Sequence, residues 1–165
     1  MATYELIESQ VLGSSAPSVT FSAIPADWTD LKVVCSVRGT AAYVNQSYGI
    51  TFNGTSTAGF SEIRLFGNGS SAYSGTATNT LEGVGAATTA DTFSNDGFYI
   101  PNYTSSNYKS YSVDNVGEDN ATLAYAMLIA GLWSNTAAIT SIIFTAVSGS
   151  FVANSSFYLY GIKNS

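Results

Sequence analysis

Leu123-Ala124-Tyr125-Ala126-Met127-Leu128-Ile129-Ala130-Gly131-Leu132-Trp133 is the stretch on which the fold class turns. Its Leu, Ala and Met content suits a helix, and eleven residues would wind about three turns. Against that, Leu123, Tyr125, Met127, Ile129 and Trp133 recur at even spacing, while Ala124, Ala126, Leu128 and Ala130 fill the opposite face. Period two belongs to a strand, and apolar residues on both faces belong to a strand covered on both sides. The spacing predicts a buried strand, and the chain then holds no second helical candidate.

The same signal extends outward. Downstream, Ile139, Ile142, Ile143 and Phe144 form an apolar run, Ser148-Gly149-Ser150 turns the chain, and Phe157-Tyr158-Leu159-Tyr160-Gly161-Ile162 closes it. Phe157 and Leu159 share one face, and Tyr158, Tyr160 and Ile162 the other, so this last strand is expected inside a sheet or a subunit contact. Upstream, Leu31-Lys32-Val33-Val34-Cys35-Ser36-Val37 alternates cleanly, with Lys32, Ser36 and Arg38 expected to face outward. Tyr4 to Leu12 and Val19 to Ala23 read as a strand pair. Tyr48 to Phe52 ends in Asn53-Gly54, a dipeptide suited to left-handed turn conformations, and Glu62 to Phe66 ends in Gly67-Asn68-Gly69. Ser70 to Ala90 is rich in Ser, Thr, Ala and Gly and is expected to be an irregular edge or loop; Phe93 to Ile100 and Lys109 to Val116 are further strands. About ten short strands with regularly spaced turns predict one all-β domain over residues 1–165, an antiparallel β-sandwich of jelly-roll type.

Charged residues make up 10% of the chain, against a usual value of about 25%, and Ser, Thr, Asn and Gly supply the polarity instead. Such a surface suits a protein held in an assembly or outside a cell. A net charge of −6 with scattered Lys32, Arg38, Arg64, Lys109 and Lys163 argues against a nucleic-acid partner, which needs clustered positive charge. The amino end lacks a basic region followed by an apolar core, and no apolar run reaches the roughly 20 residues that span a bilayer, so synthesis in the cytoplasm and no membrane partner are expected. Cys35 lies among Leu31, Val33 and Val37 and reads as a core thiol.

The chain contains no histidine, which removes Ser-His-Asp, Cys-His and His-bearing zinc arrangements. A glycosidase would need two carboxylates facing across a cleft, whereas most of these acids fall in turn-like segments. Asp114-Asn115-Val116-Gly117-Glu118-Asp119-Asn120 is the densest oxygen cluster, but Val116 takes a ligand position of the calcium-loop pattern, so a solvated acidic turn is expected and no metal or cofactor. Asn45, Asn53, Asn68, Asn102, Asn120 and Asn154 each begin an Asn-x-Ser/Thr triplet and read as Asn-rich turns. No catalytic residue is assigned.

Tyr4-Glu5-Leu6-Ile7 with Leu12-Gly13-Ser14-Ser15, Phe52-Asn53-Gly54, Tyr99-Ile100-Pro101-Asn102-Tyr103, Asn120-Ala121-Thr122 and the closing Phe157 to Ile162 resemble a family of small bacteriophage virion proteins widespread in aquatic tailed phages. The resemblance covers nearly the whole chain, through turns and strand ends. It implies a non-enzymatic structural protein on the particle surface, a capsid decoration or cement protein partnered by the major capsid protein, or alternatively a tail-fibre module partnered by a tail protein and binding host surface carbohydrate. Apolar residues beyond the needs of one sandwich interior suggest self-association, and the resemblance suggests a homotrimer. Tyr158, Tyr160, Ile162 and Trp133 are the candidates for a subunit interface. Tyr43, Tyr73, Tyr103 and Tyr108, expected to be exposed, are the candidates for glycan contact, since aromatic faces serve both purposes.

Overall fold

The computed structural model describes residues 3–55, 57–119, 121 and 124–163. Among them are twelve strands and no helix: β1 (Thr3–Val11), β2 (Ser18–Phe21), β3 (Asp30–Ser36), β4 (Asn45–Phe52), β5 (Phe60–Gly67), β6 (Ala72–Ala77), β7 (Leu81–Val84), β8 (Asn95–Ile100), β9 (Lys109–Glu118), β10 (Ala124–Trp133), β11 (Ile142–Ala146) and β12 (Ser156–Lys163). They form an eight-stranded sheet in the order β1-β12-β3-β8-β9-β10-β5-β6 and a four-stranded sheet in the order β2-β11-β4-β7. Neighbours pair antiparallel throughout. The fold is an all-β antiparallel sandwich of jelly-roll type, with the chain crossing repeatedly between its sheets.

The core lies between the sheets, because each alternating strand turns its bulky residues the same way. Phe144 of the small sheet packs against Phe98 and Phe157 of the large one, both at 5.3 Å between ring centres. Phe52 meets Trp133 at 5.5 Å and Tyr111 at 5.9 Å, edge to face. Such aromatic contacts add to the area they bury. Two cross-strand pairs make room for rings: Gly131 stands opposite Tyr111 and Gly117 opposite Tyr125. A Cβ on Gly131 would come within 2.1 Å of the Tyr111 ring, and one on Gly117 within 2.2 Å of the Tyr125 ring.

Several expectations change. β1 and β2 do not pair: β1 lies against β12 and β2 against β11, because the chain changes sheet after Val11. The Ser70 to Ala90 region holds β6 and β7, its small residues pairing with β5 and β4 through backbone bonds that composition does not reveal. Arg38 is buried, its Nη1 donating to Thr89 O at 2.8 Å, Thr88 Oγ1 at 2.9 Å and Thr92 O at 3.1 Å; a loop closes over it and takes up its donors. Asn53 and Gly54 both have positive φ, and Thr55 N donates to Phe52 O at 3.0 Å, so the tight reversal is present. It carries the chain from one sheet to the other instead of closing a meander, since β4 and β5 belong to different sheets. Asn102 and Asn154 also have positive φ, whereas Asn45 lies in β4, paired with Val84, and is not a turn residue. Leu123, read as the first residue of the decisive strand, and Asn120 lie outside the described residues.

Candidate functional site

β10 is a strand, as its spacing predicts, but only one of its faces is covered. Tyr125, Met127, Ile129 and Trp133 point into the sandwich, while Ala124, Ala126, Leu128, Ala130 and Leu132 point away from it and are exposed. The physical reason is that the four-stranded sheet covers one side of the large sheet, and no described element covers the other.

β5, next to it, is turned inside out. Its sequence Glu62-Ile63-Arg64-Leu65 would ordinarily place Ile63 and Leu65 in the core and the charges in water. Instead Glu62 is 2% exposed, while Ile63 is 62% and Leu65 57% exposed. Glu62 is held inside by the Tyr111 hydroxyl, which donates to its Oε1 at 2.8 Å, and by Thr80 N, which donates to Oε2 at 3.2 Å; Arg64 lies 4.0 Å away. The register fixes the consequence. Leu128 stands beside Leu65, Ala130 beside Ile63, and Ala126 beside Gly67, with Asp114, Ser112 and Val116 next in line on β9 and Ser74, Thr76 and Ala72 on β6.

The result is a wide sheet face of branched aliphatic ridges among small side chains. Shallow grooves of about 710, 590 and 430 Å³ run along it, around Leu132, Leu128 and Ile63 respectively. Its charges are few. Lys32 and Asp114 lie 3.9 Å apart on it, and Glu118 ends the β9 row. Asp30, also on this side, is buried, accepting from Tyr99 Oη at 2.8 Å and Asn102 N at 2.9 Å.

The interface candidates divide. Tyr158 and Tyr160 lie on this same outer face, half-buried on β12 opposite Val34 and Lys32. Ile162 also lies on that side, opposite Tyr4 and Asp30, but is already 4% exposed within one protomer. Trp133 does not belong to a surface: the β10 register turns it inward against Phe52 and Phe60. The glycan candidates divide as well. Tyr103 is fully buried, its hydroxyl donating to Pro25 O, because the 101–107 turn folds it back over the core. Tyr43, Tyr73 and Tyr108 are exposed. They stand on separate elements: before β4, on the β6 edge stacked on Phe66, and before β9 beside a cleft of about 390 Å³. β9 and β10 pair Trp133 with Lys109 and Met127 with Asn115, which puts Tyr73 about 20 Å along the strands from Tyr108.

The oxygen-rich run at Asp114 to Asp119 is spread by strand alternation, with Asp114 and Glu118 outward and Asn115 inward, and Asp119 Oδ1 accepts from Ala121 N. Between the sheets lies a polar cluster that sequence reading missed. Asp96, wholly buried, accepts from Asn115 Nδ2 and from Ser94 Oγ at 2.8 Å. Burial pushes its carboxyl up to about 7, against the lowering effect of these donors. Tyr48 Oη is buried nearby, and burial, followed by the Asp96 charge, pushes its hydroxyl well above the usual range. Burial likewise pushes the Cys35 thiol up, in keeping with a core thiol. The sequence carried one sign of this cluster: Asp96 alternates in phase with the apolar Phe98 and Ile100.

No known family model matches the chain, and no curated protein matches it. Among solved structures, the galectin LEC-6 of Caenorhabditis elegans is similar at 7% identity with a TM-score of 0.32, over 94% of this chain and 96% of that one. The fold assignment rests on the strand order and register described above.

Proposed function

We propose that the chain is a non-enzymatic structural protein of a tailed-phage particle, working at the capsid surface as a decoration protein through contact area. The observation that carries this reading is the inside-out β5 strand, which buries a carboxylate and presents Ile63 and Leu65 outward beside Leu128. An exposed apolar face of this breadth is the mark of a protein that meets another protein. The low charge and the family resemblance support the particle as the setting. Electron cryo-microscopy of phage particles encoding the chain tests it. Density at each local symmetry axis of the shell is expected; density only at the tail would move the protein to an appendage, and absence from the particle would end the structural reading.

A second reading, contact with host surface glycan, draws on one feature. Tyr108 stands 58% exposed beside the cleft formed by Pro101, Asn102, Ser105 and Asn107, where an aromatic face and amide groups meet. Purified protein that retains no host polysaccharide at millimolar sugar would dismiss it.

A further inference from the structure

We infer that two copies of the chain pack the outer faces of their eight-stranded sheets together, β9, β10, β5 and β6 of one protomer, with β8 and β3 beside them, against the same strands of the other. The inference deepens the contact reading and rests on it in part, by naming which face is used and what covers it: a second copy in a two-fold pair, where the resemblance suggests a homotrimer.

The first argument is area. Four strands about 4.8 Å apart and a β5–β10 ladder about 27 Å long give a footprint of roughly 500 Å² per copy, or about 1,000 Å² over two. Continuing across β8 and β3, where Gly97, Tyr99 and Val34 carry the outward rows onward, brings the total near the 1,600 Å², or so, of a standard interface. One face therefore meets what a stable pair needs.

The second argument is shape. Leu65 and Leu128 form a ridge across the sheet, and the neighbouring row of Val116, Ala126, Gly67 and Ala72 is low. Ridge and trough lie side by side on one surface, so a two-fold axis sets the ridge of each copy into the trough of the other. Flat sheets stack face to face in this manner about 10 Å apart.

The third argument is charge. The protein carries a net −6, yet the central rows of this face carry one acidic group, Asp114, already beside Lys32. Depletion of charge at the centre of a patch is what distinguishes interfaces from ordinary surface. Two copies of an acidic chain can approach through this face without bringing their main charge together.

Light scattering on the full chain decides the matter. The expected mass at micromolar concentration is about twice 17.3 kDa. Leu128→Glu and Leu65→Glu are expected to give monomers, with association weakened by roughly a hundredfold or more, since each pair would bury two unpaired like charges. Val147→Glu, at an exposed apolar residue that follows β11 of the small sheet, is expected to leave the mass unchanged, and Leu128→Ser, milder, to weaken the pair about tenfold without introducing charge. A monomeric wild type, a mass of three protomers, or a pair that survives both glutamates would overturn the inference. A monomer that still decorates particles would refute the pair and leave the virion reading standing. A pair with the expected mutational pattern, from a chain missing in particles, would do the reverse.

Discussion

Replacing Asp96 with Asn is expected to remove most of the pH dependence of folding stability between about pH 4 and pH 7. The Asp96 carboxyl lies wholly buried, and burial lifts it from 3.8 to about 7. Between those values the folded chain keeps a proton that the unfolded chain has released, so stability falls as pH rises through the window and levels off above it. The distance from 3.8 to about 7 corresponds to about 4 kcal/mol lost between pH 4 and pH 7. Glu82, also raised by burial, adds a slope of the same sign. Asn fits the site without a clash of donors: its oxygen accepts from Asn115 Nδ2, and its amide donates to Ser94 Oγ, which in turn donates to Val37 O at 3.1 Å. The assay is guanidinium unfolding of both chains at pH 4, 5, 6, 7 and 8. The variant is expected to gain on the wild type by about 4 kcal/mol from one end of the series to the other. Parallel curves for the two proteins would refute the reasoning, as would a wild type whose stability rises over the window.

Arg38→Met, which keeps the stem and removes the donors to Thr88, Thr89 and Thr92, is expected to cost about 2–3 kcal/mol and to speed amide exchange in residues 85–92 first; hydrogen exchange by mass spectrometry reads both. Gly131→Ala places a methyl group within 2.1 Å of the Tyr111 ring and is expected to destabilise by about 1–3 kcal/mol, seen as a lowered Tm, whereas Gly13→Ala, which meets nothing within 4 Å, changes it little. The Cys35 thiol, buried and raised, is expected to resist a thiol reagent at pH 8 in the folded protein and to react at once in denaturant.

Fold class was legible in the sequence because period two survives in almost every strand. Leu123 to Trp133 names a strand by its alternation despite helix-favouring residues, and Phe157 to Ile162 names the faces of β12 as they stand. Asn53-Gly54 named its turn for a local reason, the ease with which both residues take positive φ. Polar and small-residue segments were less legible. β6 and β7 are strands because β5 and β4 offer them backbone partners, and nothing in Ala72–Ala77 announces that. Arg38 and Tyr103 likewise owe their burial to loops that close over them.

Alternation divides a strand into two faces without saying which one the core will take. On β5 the usual assumption, aliphatics in and charges out, gives the wrong answer, since Tyr111 and Thr80 from distant parts of the chain satisfy Glu62 inside. On β10 both faces are apolar, and only the sheet order shows that four strands cover one side of an eight-stranded sheet and that no described element covers the other. The sequence by itself determined the strands and their two-sided character, because that depends on neighbours one and two residues apart. Which side became core, and hence which residues form the exposed apolar face, was decided by tertiary structure, because burial depends on partners brought together from across the chain.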